Sequence, residues 1–120
     1  MQSQHFTDLN VWKKAHQLVL ELYPFTAGFP PDERFGLTMQ LRRAAIAIPS
    51  NIAAGFKRER GPDKLRNFNT ALASLEECRY FLILAKDLQL GTRPDLETLA
   101  EEVSKMLSSY KRSIEGSGNG

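Results

Sequence analysis

LTMQLRRAAIAIPSNIAAGF, residues 37–56, is the segment whose periodicity decides the fold. Leu37, Leu41, Ala44, Ala45, Ile48, Ile52 and Phe56 recur at spacings of three and four, the signature of a helix with one buried stripe. Pro49 interrupts the run without shifting its phase. Proline removes one backbone donor and crowds the carbonyl four residues back, here that of Ala45, so a kink is predicted at Pro49 rather than an end. Ser50 or Asn51 can then bond the freed carbonyl or reach a neighbouring helix. Ala44, Ala45, Ala47, Ala53, Ala54 and Gly55 make this helix thin, which lets another backbone approach closely. The predicted helix runs from Asp32 to Arg60.

Three further helices flank it. The first is predicted over Thr7–Thr26, with Thr7 as its N-cap and a stripe of Val11, Trp12, Ala15, Leu18, Val19, Leu22 and Phe25. Pro24 is expected to kink or fray its last turn, and Gly28, Pro30 and Pro31 force a loop. Gly61 and Pro62 open the third helix, which runs to about Gln89 with Leu65, Phe68, Leu72, Leu75, Cys78, Leu82, Ala85 and Leu88 on its stripe. Tyr80, Phe81, Ile83 and Leu84 lie outside that stripe, so this helix is expected to be buried on two sides, with Tyr80, Phe81 and Leu84 forming an oligomer interface. Gly91 is the predicted C′ glycine, and Thr92 the cap of a fourth helix carrying Leu96, Leu99, Val103, Met106, Leu107, Tyr110 and Ile114. No run alternates as a strand does. Short connections make sequential helices antiparallel neighbours. The expectation is an all-α, up-down-up-down antiparallel four-helix bundle over residues 1–115, its second helix kinked at Pro49, with a disordered tail over 116–120.

A chain of 120 residues with 42% hydrophobic content suits one domain with one core. The single cysteine, Cys78, excludes an internal disulfide and reads as a reduced, buried thiol. No secretory leader and no span of membrane length is visible, which points to a cytoplasmic protein that does not enter a membrane.

Catalytic patterns are missing. His5 and His16 have no cysteine or carboxylate at metal spacing, and the Glu-x-x-His pairs of ferritin-like bundles do not occur. No phosphate-binding loop or dinucleotide fingerprint is present. Glu76 and Glu77 diverge by about 100° on a helix, which suits structural work better than paired acid–base chemistry. No enzyme activity, metal or cofactor is expected. Charge is more informative. Between Arg42 and Arg66 stand seven basic residues (Arg42, Arg43, Lys57, Arg58, Arg60, Lys64 and Arg66) against Glu59 and Asp63. That local excess of five sits in a chain of net charge +2, leaving −3 for the remainder. Such a cluster is either a solvated face or a phosphate-binding surface with little sequence preference.

The order of motifs resembles a known family. Leu9, Val11-Trp12 and Ala15 are followed by Phe29-Pro30, Glu33, Phe35-Gly36-Leu37 and Gln40-Leu41-Arg42-Arg43-Ala44-Ala45. Ile48-Pro49-Ser50-Asn51-Ile52-Ala53, Gly55, Phe68, Ala71, Ser74-Leu75 and Glu76 complete the pattern. Over residues 6–90 the chain is similar to the four-helix bundle proteins of bacterial ribosomal RNA intervening sequences. That family includes the accessory variability protein of diversity-generating retroelements. The resemblance implies a ring-shaped homo-oligomer, a homopentamer, and nucleic-acid binding through basic residues. In the retroelement branch it also implies a reverse transcriptase partner. Arg42 and Arg43 are the basic positions it carries over; Lys57, Arg58 and Arg60 are placed by charge. Ala47, Ala54 and Ala73 replace a serine, a glutamate and a glycine of the family pattern, so polar contacts of that serine and glutamate do not carry over. Two functions follow as expectations: RNA or DNA backbone binding by an oligomer, or a protein-only interaction scaffold using the apolar face around Tyr80, Phe81 and Leu84.

Overall fold

A computed structural model describes residues 4–116. It contains four α-helices, α1 (Asn10–Ala27), α2 (Leu37–Lys57), α3 (Gly61–Asp87) and α4 (Pro94–Gly116), with single 3₁₀ turns at Phe6–Asp8 and Pro31–Glu33. α1 packs on α2 and α4, and α3 packs on α2 and α4, while among the described residues the backbones of the diagonal pairs do not approach closely. The result is a four-helix bundle 47 Å long and about 20 Å across. The stripes read from the sequence line its axis: Leu18, Leu22, Leu41, Ile48, Ile52, Phe68, Leu75, Leu96 and Leu107 are fully buried, whereas Leu88, expected on the third stripe, lies past the helix end and is exposed. Among the described residues no helix is long and apolar enough to cross a membrane. Residues 117–120 of the expected tail lie outside the described residues, and Gly116 closes α4.

α2 continues through Pro49 to Lys57. α1 likewise continues through Pro24 to Ala27. The helix starts differ from those expected, and local hydrogen bonding explains why. Thr7 lies in the first 3₁₀ turn, where its hydroxyl meets His5 Nδ1 at 3.3 Å, and α1 begins three residues later. Asp8 ties that turn down by accepting from the backbone N–H groups of Gln4 and His5, each at 3.2 Å. α2 begins at Leu37 rather than Asp32. Pro31–Glu33 makes its own turn, Gly36 leaves helical geometry, and Glu33 Oε1 accepts from the Leu37 N–H at 3.0 Å, capping α2 from outside. At its far end the chain leaves α2 at Arg58, with φ −63° and ψ 144°, so that α3 can restart with Pro62 in its first turn.

The α3 terminus corrects the glycine assignment. Leu90 N–H bonds Ala85 O at 2.8 Å and Gln89 N–H bonds Lys86 O at 3.0 Å, a Schellman closure. The left-handed residue is therefore Gln89, with φ 61°. Gly91 is needed for another reason: a Cβ there would lie 2.8 Å from Phe25 Cε1, so the missing side chain lets α1 seat its last aromatic against the α3–α4 connection. Thr92 stands two residues before the α4 start. The Arg93 carbonyl, instead, accepts from Leu96 and Glu97.

Gly55 sets the spacing of α2 and α3. A Cβ there would meet Phe68 Cε1 at 2.6 Å and Asn67 Cβ at 3.0 Å. Phe68 is fully buried, so its ring has nowhere to go. Gly55→Ala gains about 1 kcal/mol of helix propensity but overpacks the core at a cost of about 1–3 kcal/mol. Net destabilisation in urea unfolding is the expected outcome; a more stable variant would contradict this packing.

Candidate nucleic-acid interface

The up-down order gathers the start of α1, the end of α2, the start of α3 and the end of α4 at one end of the bundle. Phe68 of α3 and Tyr110 of α4 meet there, with ring centroids 5.1 Å apart. Lys57, Arg58, Arg60, Lys64 and Arg66 lie together at this end, as the hairpin between α2 and α3 requires. Lys111 and Arg112 on the last turns of α4 join them. Sequence reading missed this pair because it followed charge along the chain. The topology itself was the signal that places them. At the opposite end acids predominate, with Asp32, Glu33, Asp87, Asp95 and Glu97 around the helix termini. The bundle is electrically polar along its length.

The seven basic candidates are not equivalent. Arg42 turns inward and braces α1. Its Nε donates to Thr26 Oγ1 at 2.8 Å and an Nη donates to the Tyr23 carbonyl at 3.2 Å. The guanidinium also stacks 4.3 Å over the Tyr23 ring. Thr26 is buried, and its hydroxyl donates to Leu22 O at 3.0 Å and to Tyr23 O at 3.1 Å, so Arg42 completes its bonding. Arg43, about 100° further round the helix, is exposed and donates to Gln40 Oε1 at 2.9 Å. Lys64 caps α2: its Nζ donates to Phe56 O at 2.8 Å and to Gly55 O at 3.3 Å, and burial lowers its pKa. Arg66 pairs with Asp63 at 3.1 Å on the surface. Arg58 donates to Asn67 Oδ1 at 3.1 Å. Lys57 and Arg60 are exposed and carry no side-chain partner among the described residues.

The polar centre of α2 has a structural use. Asn51 Nδ2 donates to the Ala47 carbonyl at 2.9 Å, and its Oδ1 accepts from Asn67 Nδ2 at 3.2 Å. With Arg58 on Asn67, a polar ladder runs from α2 to α3 and back. It serves the Ala47 carbonyl, not the Ala45 carbonyl that Pro49 frees. Pro49 is buried, whereas Ser50 is exposed beside it.

On α3, Tyr80 is 56% exposed and Ile83 48%, while Phe81 and Leu84 are half-buried and pack on the core. Apolar surface therefore does remain outside the subunit core, centred on Tyr80 and Ile83. Glu76 pairs with Arg79 at 3.1 Å in solvent, and His16 stacks on Trp12 at 4.9 Å. Cys78 is buried without a disulfide, and burial pushes its thiol up to about 12. Such a thiol stays protonated and is a poor nucleophile.

Two outcomes follow. Arg42→Ala removes the bonds to Thr26 Oγ1 and the Tyr23 carbonyl and is expected to lower stability by about 1–2 kcal/mol, whereas Arg43→Ala stays within about 0.5 kcal/mol; urea unfolding of the pair checks the split. For Cys78, the unfolded thiol ionises above about pH 8.5 while the folded one keeps its proton to about 12. The unfolded chain then binds fewer protons, so stability falls as pH rises, by up to about 1.4 kcal/mol per unit. Denaturation at pH 8, 9 and 10 is expected to show stability falling more steeply in the parent than in Cys78→Ala. Tyr110, whose pKa burial also raises, adds the same sign only at higher pH.

Comparison with known proteins agrees with this architecture. A solved structure from Bacteroides thetaiotaomicron, a protein of unknown function from the S23 ribosomal protein family, superposes with a TM-score of 0.75. The two share 22% identity over 84% of this chain and 97% of that one, a likeness of fold alone. No curated protein matches the chain. The sequence pattern of the 23S rRNA-intervening sequence proteins matches residues 7–109, nearly the whole bundle, and the chain belongs to that family.

Proposed function

We propose that the chain is a non-enzymatic, self-associating protein that binds the RNA or DNA backbone with little sequence preference. The supporting observation is the set of cations at one end of the bundle. Lys57, Arg58, Arg60, Lys111 and Arg112 converge there without an ion pair to any described acid. Phosphate contact asks for such clustered, flexible cations and no base-reading geometry. Arg42 and Lys64 hold the fold and Arg66 is paired with Asp63, so the binding set differs from the sequence-based one: it loses those three and gains the α4 pair. Arg43 lies about 20 Å from the cluster along α2 and contributes through a neighbouring copy. Self-association uses the exposed apolar side chains Tyr80 and Ile83 of α3 and Leu88 just beyond its end, and it multiplies the cationic ends available to one strand.

A protein-only scaffold is the second reading, favoured by the same exposed α3 side chains. Anisotropy of labelled RNA against salt separates the two. Five phosphate contacts to a single strand give a slope of log K on log salt of about −3.5. Lys57→Glu with Arg58→Glu and Arg60→Glu is expected to abolish binding, while Tyr80→Glu with Ile83→Glu lowers the mass seen by light scattering. Unchanged RNA affinity in the charge-reversed protein would overturn the backbone-binding reading. Absence of any RNA binding at low salt, with self-association intact, would leave the scaffold.

A further inference from the structure

A narrow apolar groove of about 300 Å³ runs between α1 and α2. Phe6, Trp12 and His16 form one wall, and Ile46, Pro49 and Ala53 face them. The wall is a ladder of rings. Phe6 meets Trp12 edge-on at 5.3 Å, and Trp12 stacks on His16 at 4.9 Å with 12° between the planes. The three rings are half-buried rather than enclosed, and Ile46 at the rim is 43% exposed.

Position gives the groove its meaning. Ala53 precedes Lys57 by four residues, so the cation stands one turn beyond on the same face of α2, about 6 Å along the axis. The groove thus ends about one turn short of Lys57, the first cation of the tip cluster. An occupant suited to both must carry a chain of phosphates and, beside them, flat apolar rings. Single-stranded nucleic acid has that chemistry. A duplex has its bases stacked inward and offers only the phosphates. Cationic tracks flanked by aromatic side chains are the general solution for binding unpaired strands.

We infer that the α1–α2 groove receives unpaired bases, making the chain selective for single strands over duplex. The inference rests on the backbone-binding reading above and adds a site to it. The phosphates bind at the α2–α3 turn, and one or two bases leave the stack to lie against the Trp12–His16 wall and the exposed Ile46 side chain. Apolar contact with bases is insensitive to salt, so part of the affinity persists where the ionic part has been screened.

The test is direct because Trp12 is the sole tryptophan. Labelled 20-nucleotide oligo-dT and a 20-base-pair duplex are titrated by anisotropy, and the unlabelled forms by tryptophan emission. The single strand is expected to bind at least about 5-fold tighter than duplex, the lower limit for one stacked base, and to change Trp12 emission, while duplex leaves it unchanged. Ile46→Asp, at the exposed rim, keeps the reporter and is expected to weaken oligo-dT binding about 5- to 100-fold without moving duplex affinity. Trp12→Leu is expected to do the same, with circular dichroism checking its fold. Binding of oligo-dT with unaltered emission, or equal affinity for the two forms, would overturn the groove and leave the cationic end standing. Emission that tracks protein concentration and not oligonucleotide would assign the groove to a second copy. Failure of both ligands to bind would remove the groove site along with the reading it rests on.

Discussion

Everything in this bundle is spaced by the contact between Gly55 of α2 and the Phe68 ring of α3. The ring is wholly enclosed and the glycine leaves it 2.6 Å from where a Cβ would stand, so the two backbones sit as close as an aromatic between them permits. That distance sets the reach of the Asn51–Asn67–Arg58 ladder and of the Lys64 ammonium to the last carbonyls of α2. A wider pair would leave those polar groups short of their partners, at a cost comparable to the bonds themselves. Hydrophobic packing and polar bonding here are one constraint, met by a thin helix against a thick one.

The same hairpin fixes where charge appears. A two-helix turn must put the residues on either side of Gly61 at one tip, and the antiparallel order adds the C-terminal turns of α4. The cations at the tip are a mixture of structural and free ones. Lys64 serves backbone carbonyls, Arg66 has Asp63, and Arg58 shares itself with Asn67. Lys57, Arg60, Lys111 and Arg112 have no such duty. Exposed ion pairs contribute little to folding, so this surplus of positive charge is not explained by stability. It is the reason the tip, rather than the acidic end, is assigned to a polyanion.

Much of this was legible in the sequence, and the misses share a cause. Periodicity alone located four helices and their buried stripes, because burial on one face leaves a repeating pattern. Helix starts were misjudged where a side chain from outside the helix does the capping, as Glu33 does for Leu37. Gly91 was read as a conformational glycine, but the left-handed position belongs to Gln89 and the glycine answers to Phe25, which stands on the first helix, far earlier in the chain. Arg42 and Arg43 look alike as neighbours in a string. One helical step apart, the first meets a buried threonine and the second meets water. Each miss needed a partner distant in the chain, which a local reading does not supply. The aromatic wall of Phe6, Trp12 and His16 was hidden the same way, since its opposite side comes from α2.

The square arrangement of helices has a kinetic side. Three of its four seams join helices consecutive in the chain, and each needs only a short loop to close. The α1–α4 seam is the exception, stitched by Lys14 with Glu102 and Arg93 with Glu21 at 3.1 Å each. Closing a long loop is the slow entropic step in assembling a small domain, and this chain confronts it once. The α2–α3 hairpin can therefore form first and template its neighbours, with the docking of the terminal helices completing the structure last.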